Sequence, residues 1–220
     1  VKQERRRDDV FMDADGTALD APIRDLAAPD GGHDELLING RQIHIAPAQL
    51  ADLDRLRSFY QHLSDTSTYF RFFGIRRSIP ERELREALDP EVDRHVTLLA
   101  TIDGELVGIG EFIVAPSDDE AEVAFAVSDD HQGEGVATLL LENLVAIARR
   151  RNLSVLTAVV LPDNAQMLLV FRTVGLSEQA RLDDDCVVEV RFDLRAPDEL
   201  QKRSDERRLN AMRHARVQSG

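Results

Sequence analysis

The sequence predicts an α+β (mixed α/β) domain, and three observations carry that prediction. β-prone runs and helical periodicities alternate along the sequence instead of segregating into separate halves. Three strand-like runs, over 96–102, 105–114 and 121–128, follow one another as an antiparallel set, with Asp103-Gly104 turning the backbone between the first two. The third then enters a glycine-rich turn and a strongly periodic helix before another strand, a single β-α-β step.

Taken in order, residues 1–34 are rich in Asp, Gly, Ala and Pro without periodicity, and read as an extended or mobile tail. Within it Asp13-Ala14-Asp15-Gly16 has only the start of a calcium loop. The third oxygen ligand and the closing Glu are missing, so no metal site is expected. Order is expected from Glu35, with Asn39-Gly40 between two β-prone runs as a two-residue hairpin turn in which both positions take positive φ. Pro47 suits a first helical position, and Leu50, Leu53, Leu56, Phe59, Tyr60 and Leu63 form an apolar stripe, predicting a helix to about His62. Residues 64–77 read as an aromatic, arginine-bearing connection. Ser78-Ile79-Pro80-Glu81 has a capping-box pattern opening a helix that ends near Asp89-Pro90. His95 begins the next strand and reads as structural.

In the helix that runs to about Arg151, Val136, Leu139, Leu140, Leu144, Ile147 and Ala148 share a face. Leu141 and Val145 lie elsewhere around it, so burial on more than one side is expected. A strand over 154–161, a helix over 163–174 and a strand over 186–194 complete a domain assigned to residues 35–195. Cys186 beside Val187-Val188 reads as a small buried hydrophobe. Residues 196–220 are a charged helix or linker carrying Leu200, Leu209 and Met212.

Composition narrows the function. A protein of 220 residues can bury a full core without a metal or disulfide, and a single cysteine forbids an internal disulfide framework. That usage, together with the lack of any signal-peptide pattern or long apolar run, points to a cytoplasmic protein that does not enter a membrane. The net charge of −14 argues against nucleic-acid binding and favours a cationic substrate or a basic protein partner, with simple solubility as the alternative reason for it. The first residue is Val rather than Met, so a trimmed terminus or an excised domain is expected.

Asp130-His131-Gln132-Gly133-Glu134-Gly135-Val136-Ala137-Thr138 is the most informative stretch. A glycine turn at a helix N-terminus offers unpaired backbone N–H groups and the positive end of the helix dipole, an arrangement suited to phosphate. Side chains at positions 133 and 135 would obstruct that approach. The spacing Gln132-x-x-Gly135-x-Ala137, in this element order, resembles the acyl-CoA pyrophosphate loop of the GNAT superfamily of N-acetyltransferases. The resemblance spans about Leu36 to Leu194 and implies a mixed central sheet with helices on both faces and acetyl-CoA as cosubstrate.

Further expectations follow from the resemblance. Backbone N–H groups of Gln132, Gly133, Glu134, Gly135, Val136, Ala137 and Thr138 would hold the pyrophosphate. One departure is Glu134, where the family often has a basic residue; a carboxylate there costs affinity unless it points away. The strand over 121–128 would splay from its neighbour, and the backbone of Phe125, Ala126 and Val127 would pair with the pantetheine arm as an added strand does. Ala121-Glu122-Val123-Ala124-Phe125 resembles the strand that carries the catalytic Glu in GNAT lysine acetyltransferases. Glu122 is therefore the expected general base, because an amine with a pKa of about 10.4 must lose a proton before attacking a thioester. Asp129, Asp130 and His131 are weaker rivals beside the phosphate loop.

Leu161-Pro162-Asp163-Asn164 with Phe171 to Leu176 resembles the second cofactor motif. Asn164 would bond the pantetheine, N-cap the helix, or both. Phe171 stands where many members have a Tyr that protonates the leaving thiolate, and phenylalanine cannot do so.

The segment from Leu63 to Gly74 is similar to that of bacterial GNAT lysine acetyltransferases that modify acyl-CoA synthetases, in which the catalytic domain is often fused to a regulatory domain. Tyr69, Arg71 and Phe72 would then line the acceptor groove. The expected reaction is acetyl transfer to a lysine ε-amine of a protein, an AMP-forming acyl-CoA synthetase, by direct attack in a ternary complex. Acetylation of a small amine, and a non-catalytic acyl-CoA-sensing role, are the alternatives.

Overall fold

The computed structural model describes residues 31–74, 76, 78–89, 94–116, 119–176, 178–182, 186–197 and 199–218. The tail and the Asp13–Gly16 segment fall outside them, apart from the tail's last four residues. The strands are β1 (His33–Leu36), β2 (Gln42–Pro47), β3 (His95–Ile102), β4 (Glu105–Val114), β5 (Glu120–Val127), β6 (Val155–Val160), β7 (Glu178–Leu182) and β8 (Val188–Asp193). The helices are α1 (Leu53–His62), α2 (Asp65–Phe72), α3 (Glu81–Leu88), α4 (Val136–Arg150), α5 (Ala165–Thr173) and α6 (Leu200–Gln218). One mixed sheet runs in the order β1-β2-β3-β4-β5-β6-β8-β7, and only β5 and β6 pair in parallel. This is the fold class expected from the sequence.

Two apolar cores flank the sheet. On one face Val136, Leu140 and Leu144 of α4 and Phe171 of α5 pack with Val96, Leu98, Val123, Leu156 and Phe192. On the other, Leu56 and Phe59 of α1 and Leu84 and Leu88 of α3 cover Leu99, Ile109 and Ala126. The strand period of two separates the cores, because Val123 and Ala126 of β5 point to opposite faces. Leu141 and Val145 are fully buried along with the main face of α4, as a helix apolar on more than one side requires.

Several local expectations are corrected. The first hairpin is not a two-residue turn. β1 starts at His33 and pairs Leu36 with Gln42, leaving a five-residue connection. There Gly40 N–H donates to Leu37 C=O, and of Asn39 and Gly40 only Gly40 takes positive φ. That is a type I turn closed by a glycine bulge, an equally good use of Asn-Gly.

Pro47 ends β2 instead of opening a helix. It faces Leu98 in the β2–β3 ladder, and α1 is entered later through a 3-10 turn at Leu50–Asp52, where Gln49 N–H donates to Asp52 Oδ2 at 3.1 Å. The Ser78 capping box does not form. Proline forces the preceding residue out of helical geometry, so α3 begins after Pro80, whose C=O accepts from Leu84 N–H.

Residues 65–72, read as connection, are helix α2. Ser64 caps it, accepting from Ser67 N–H at 3.1 Å. The polar edge strand β7 had no apolar alternation to betray it. Cys186 is exposed at φ +59, ahead of the ladder that begins at Val188, so it is not a buried hydrophobe.

The segment after Pro197 forms α6, which docks on the domain through polar contacts. Ser204 Oγ donates to buried Glu142 at 3.0 Å, and Arg208 makes two hydrogen bonds to Glu35, at 2.7 and 3.2 Å. Burial by itself would raise the pKa of Glu35, but hydrogen bonds from His33 and Arg208 more than offset it and bring it down to about 2. A depressed carboxylate contributes stability above its unfolded pKa and loses it as pH falls through the folded value. Glu35→Gln should therefore cost about 1–2 kcal/mol at neutral pH, and the gap to wild type should close between about pH 4.5 and 2. Denaturant unfolding of both proteins across that range checks this; a gap independent of pH would refute the ion-pair account.

Candidate active site

β5 and β6 pair only at Glu120–Val155, Ala121–Leu156 and Glu122–Thr157. Beyond Glu122 the strands diverge, and the opening widens into a cleft of about 850 Å³. Its walls are the diverging edges 123–127 and 158–160, α5, one side of α2, and the turn between β5 and α4. Phe171 lies beneath the opening, buried between Phe125 at 6.3 Å and Phe192 at 5.2 Å between ring centroids.

The open end holds the glycine turn. Gly133 (φ +77) and Gly135 (φ +97) both adopt left-handed backbone, which a side chain would strain. A side chain at Gly133 would meet nothing within 4 Å, so backbone geometry rather than crowding is what requires glycine there. Gly135 is the N-cap of α4, and the first backbone bond of that helix runs from Leu139 N–H to Gly135 C=O. The N–H groups of Val136, Ala137 and Thr138 therefore precede the helical ladder and stand with the helix dipole at the cleft.

At the closed end stands Glu122, exposed and lining the cleft at the last β5–β6 pair. From Glu122 to Val127 the strand edge runs about 17 Å at 3.3 Å per residue. The site thus presents an anion cradle, a peptide-like edge and a carboxylate in line.

Of the residues singled out from sequence, Glu122, Phe125, Ala126, Val127, Gln132, Gly133, Gly135, Val136, Ala137, Thr138, Asn164, Phe171 and Arg71 line this cleft. Glu134, Tyr69 and Phe72 do not. Glu134 turns towards the β1–β2 connection, accepting from Asn39 Nδ2 at 3.2 Å. Tyr69 is exposed, and the guanidinium groups of Arg71 and Arg76 lie over the Phe72 ring, 4.9 Å and 5.1 Å from its centroid. Asn164 lines the cleft and N-caps α5, its Oδ1 accepting from Met167 N–H at 3.1 Å, so the cap does not use its amide N–H₂.

Two networks escaped sequence reasoning, because each joins residues far apart in sequence. Asp129 accepts from Ser64 N–H (2.9 Å), Ser64 Oγ (2.6 Å) and Ser67 Oγ (2.7 Å), latching α2 onto the phosphate turn. Gln132 joins it by donating to Ser67 Oγ at 3.0 Å. Burial opposes ionisation of Asp129, but the bonds from Ser64 and Ser67 prevail and hold its pKa below the ordinary value. Its oxygens are thereby committed, which weakens it as a rival base.

In the second network, buried Glu111 salt-bridges Arg71 through one oxygen and accepts from His95 Nε2 at 2.7 Å through the other. Burial pushes Glu111 up; His95 and the Arg71 charge more than reverse this and keep it ionised. Burial pushes the nearby Tyr60 hydroxyl up to about 12, so it stays neutral. His95 is structural, as its place at a strand start suggested, and its partner Glu111 was the hidden part.

An edge that opens beside a helix N-terminus has the geometry suited to a long, amide-bearing, phosphorylated ligand. Comparison with known proteins agrees. Residues 56–176 match the acetyltransferase (GNAT) family. An acetyltransferase of Pseudomonas aeruginosa is 30% identical over 168 residues, covering 74% of this protein and 90% of that one. The acetyltransferase Pat of Mycolicibacterium smegmatis is 30% identical over 141 residues, 62% of this protein but 41% of Pat, so the match takes in under half of that relative. Among solved structures, the GNAT domain of S. lividans PAT superposes with a TM-score of 0.68 at 37% identity, covering 74% of this protein and 96% of that domain.

The protein belongs to the GNAT acetyltransferase family, whose members use acetyl-CoA. None of the described helices is long and apolar enough to cross a membrane.

Proposed function

We propose that this protein transfers acetyl from acetyl-CoA to the ε-amine of a protein lysine, on an AMP-forming acyl-CoA synthetase, by direct attack in a ternary complex in the cytoplasm. The observation that carries this reading is the alignment of Glu122, the open β5 edge and the glycine turn along one cleft. The similarity to the Pat proteins supports a protein acceptor, and the length of Pat beyond the match supports a regulatory domain outside the sequence described.

Acetyl-CoA supplies the acetyl group as a thioester. The N–H groups of the turn and of the α4 N-terminus hold its pyrophosphate. The backbone of Phe125, Ala126 and Val127, with the Asn164 amide, orients the arm. Glu122, directly or through water, takes a proton from the lysine ammonium. The amine nitrogen then bonds the acetyl carbon as the carbon–sulfur bond breaks. The acylated nitrogen sheds its second proton to water, and the departing thiolate takes one from water, since Phe171 has none to give; a thiol of pKa near that of cysteine, about 8.5, leaves without an acid.

The test is incubation with labelled acetyl-CoA and a purified AMP-forming acetyl-CoA synthetase. The expected result is label on one synthetase lysine, located by mass spectrometry. Release of CoA with polyamines or amino acids, and an unlabelled synthetase, would replace the protein acceptor by a small amine. Acetyl-CoA bound but never consumed would make the protein a sensor.

A further inference from the structure

Glu134 is the one side chain between Gly133 and Gly135, and phosphate binding gives no reason for a carboxylate there. Two glycines at positive φ make a turn with many accessible conformers, and binding must freeze them. The structure ties the intervening residue down from the opposite side. Glu134 Oε1 accepts from Asn39 Nδ2 at 3.2 Å and lies 4.0 Å from Arg41. His131 Nδ1 stands 3.4 Å from Oε2, and the backbone carbonyl of Glu134 accepts from Ile38 N–H at 3.4 Å.

The support behind Glu134 is itself braced. Gly40 sits so close to α6 that an added Cβ would lie 2.7 Å from Ala215 N, and Arg208 of the same helix holds Glu35 at the start of the hairpin. Ile38, from this connection, reaches the cleft itself.

We propose that Glu134 is a positioning residue for acetyl-CoA: it fastens the glycine turn to the β1–β2 connection, so that the turn's N–H groups are aimed at the pyrophosphate before it arrives. The inference rests on the acetyl-CoA reading above. The carboxylate does not repel the ligand, because its charge is directed to Arg41 and Asn39 and away from the cleft. The α6 helix, by bracing that connection, becomes part of the donor site without touching the donor.

Calorimetric titration of CoA into wild type, Glu134→Gln, Glu134→Ala, Asn39→Ala and the double alanine variant tests this. Loss of a charge-assisted bond predicts about tenfold weaker CoA binding for Glu134→Ala. Glu134→Gln should stay within about threefold of wild type, since its amide oxygen still accepts from Asn39. The two alanine changes should be non-additive, the double variant binding about as weakly as Glu134→Ala alone. In turnover the loss should appear in the KM for acetyl-CoA far more than in kcat.

Equal or tighter CoA binding by Glu134→Ala would overturn the proposal, the latter by revealing simple repulsion. Should that variant fail to fold, Asn39→Ala alone decides, with about fivefold weakening expected and unchanged affinity refuting. Absence of CoA binding by wild type would instead sink the acetyl-CoA reading, and this inference with it.

Discussion

Glu122→Gln should lower kcat by about 10²- to 10³-fold while leaving the KM for acetyl-CoA close to wild type. The amide keeps the size of the side chain at the closed end of the cleft but cannot accept a proton. In the proposed reading the donor's contacts lie along β5 and the glycine turn, so its binding should survive. A second signature follows from the acceptor. Lysine ionises near 10.4, so raising the pH supplies free amine without a base, and the deficit of the variant should shrink towards about pH 10. Rates at saturating acetyl-CoA from about pH 7 to 10 test both points. Full activity at every pH would place the base elsewhere, and not on Asp129, whose oxygens already accept from Ser64 and Ser67.

Glu111→Leu is expected to be the most destabilising single change in the sheet. It strands the half-buried Arg71 guanidinium and leaves His95 without its acceptor. Breaking a buried ion pair from one side costs about 3–5 kcal/mol, because the remaining charge is desolvated without compensation. For a domain of this size that is a fall of roughly 10 °C in Tm. Because Arg71 lines the cleft, activity of the surviving protein should be lost more through acceptor KM than through acetyl-CoA affinity. Thermal unfolding with CoA titration checks this; a Tm within about 2 °C of wild type would show that the triad holds nothing together.

The sequence was legible where one short segment carries its own physics. Glycines 133 and 135 between a strand and a long apolar helix marked the anion cradle, and the alternation along β5 put Glu122 opposite Val123. Three of the errors share one cause: a local signal lost to a distant partner. Pro47 resembles a helix opener until Leu98 of β3 takes it as the end of a strand. Ser64 to Phe72 resembles a loop until Asp129, 65 residues from Ser64, anchors the helix that Ser64 caps. Polar β7 is a strand because β8 offers it an edge.

By itself, then, the sequence determined the run of elements from β3 to α5, the two faces of β5, the glycine turn and the carboxylate at the other end of the same strand. These depend on backbone preference and side-chain period, which act over a few residues. Only the tertiary structure decided that β5 and β6 part after Glu122 and that Glu111 holds Arg71 beneath the cleft. It also decided that Glu134 faces the hairpin instead of the ligand. Those outcomes depend on which charges and edges are brought together across 35 to 95 residues of sequence, a pairing that no local window encodes.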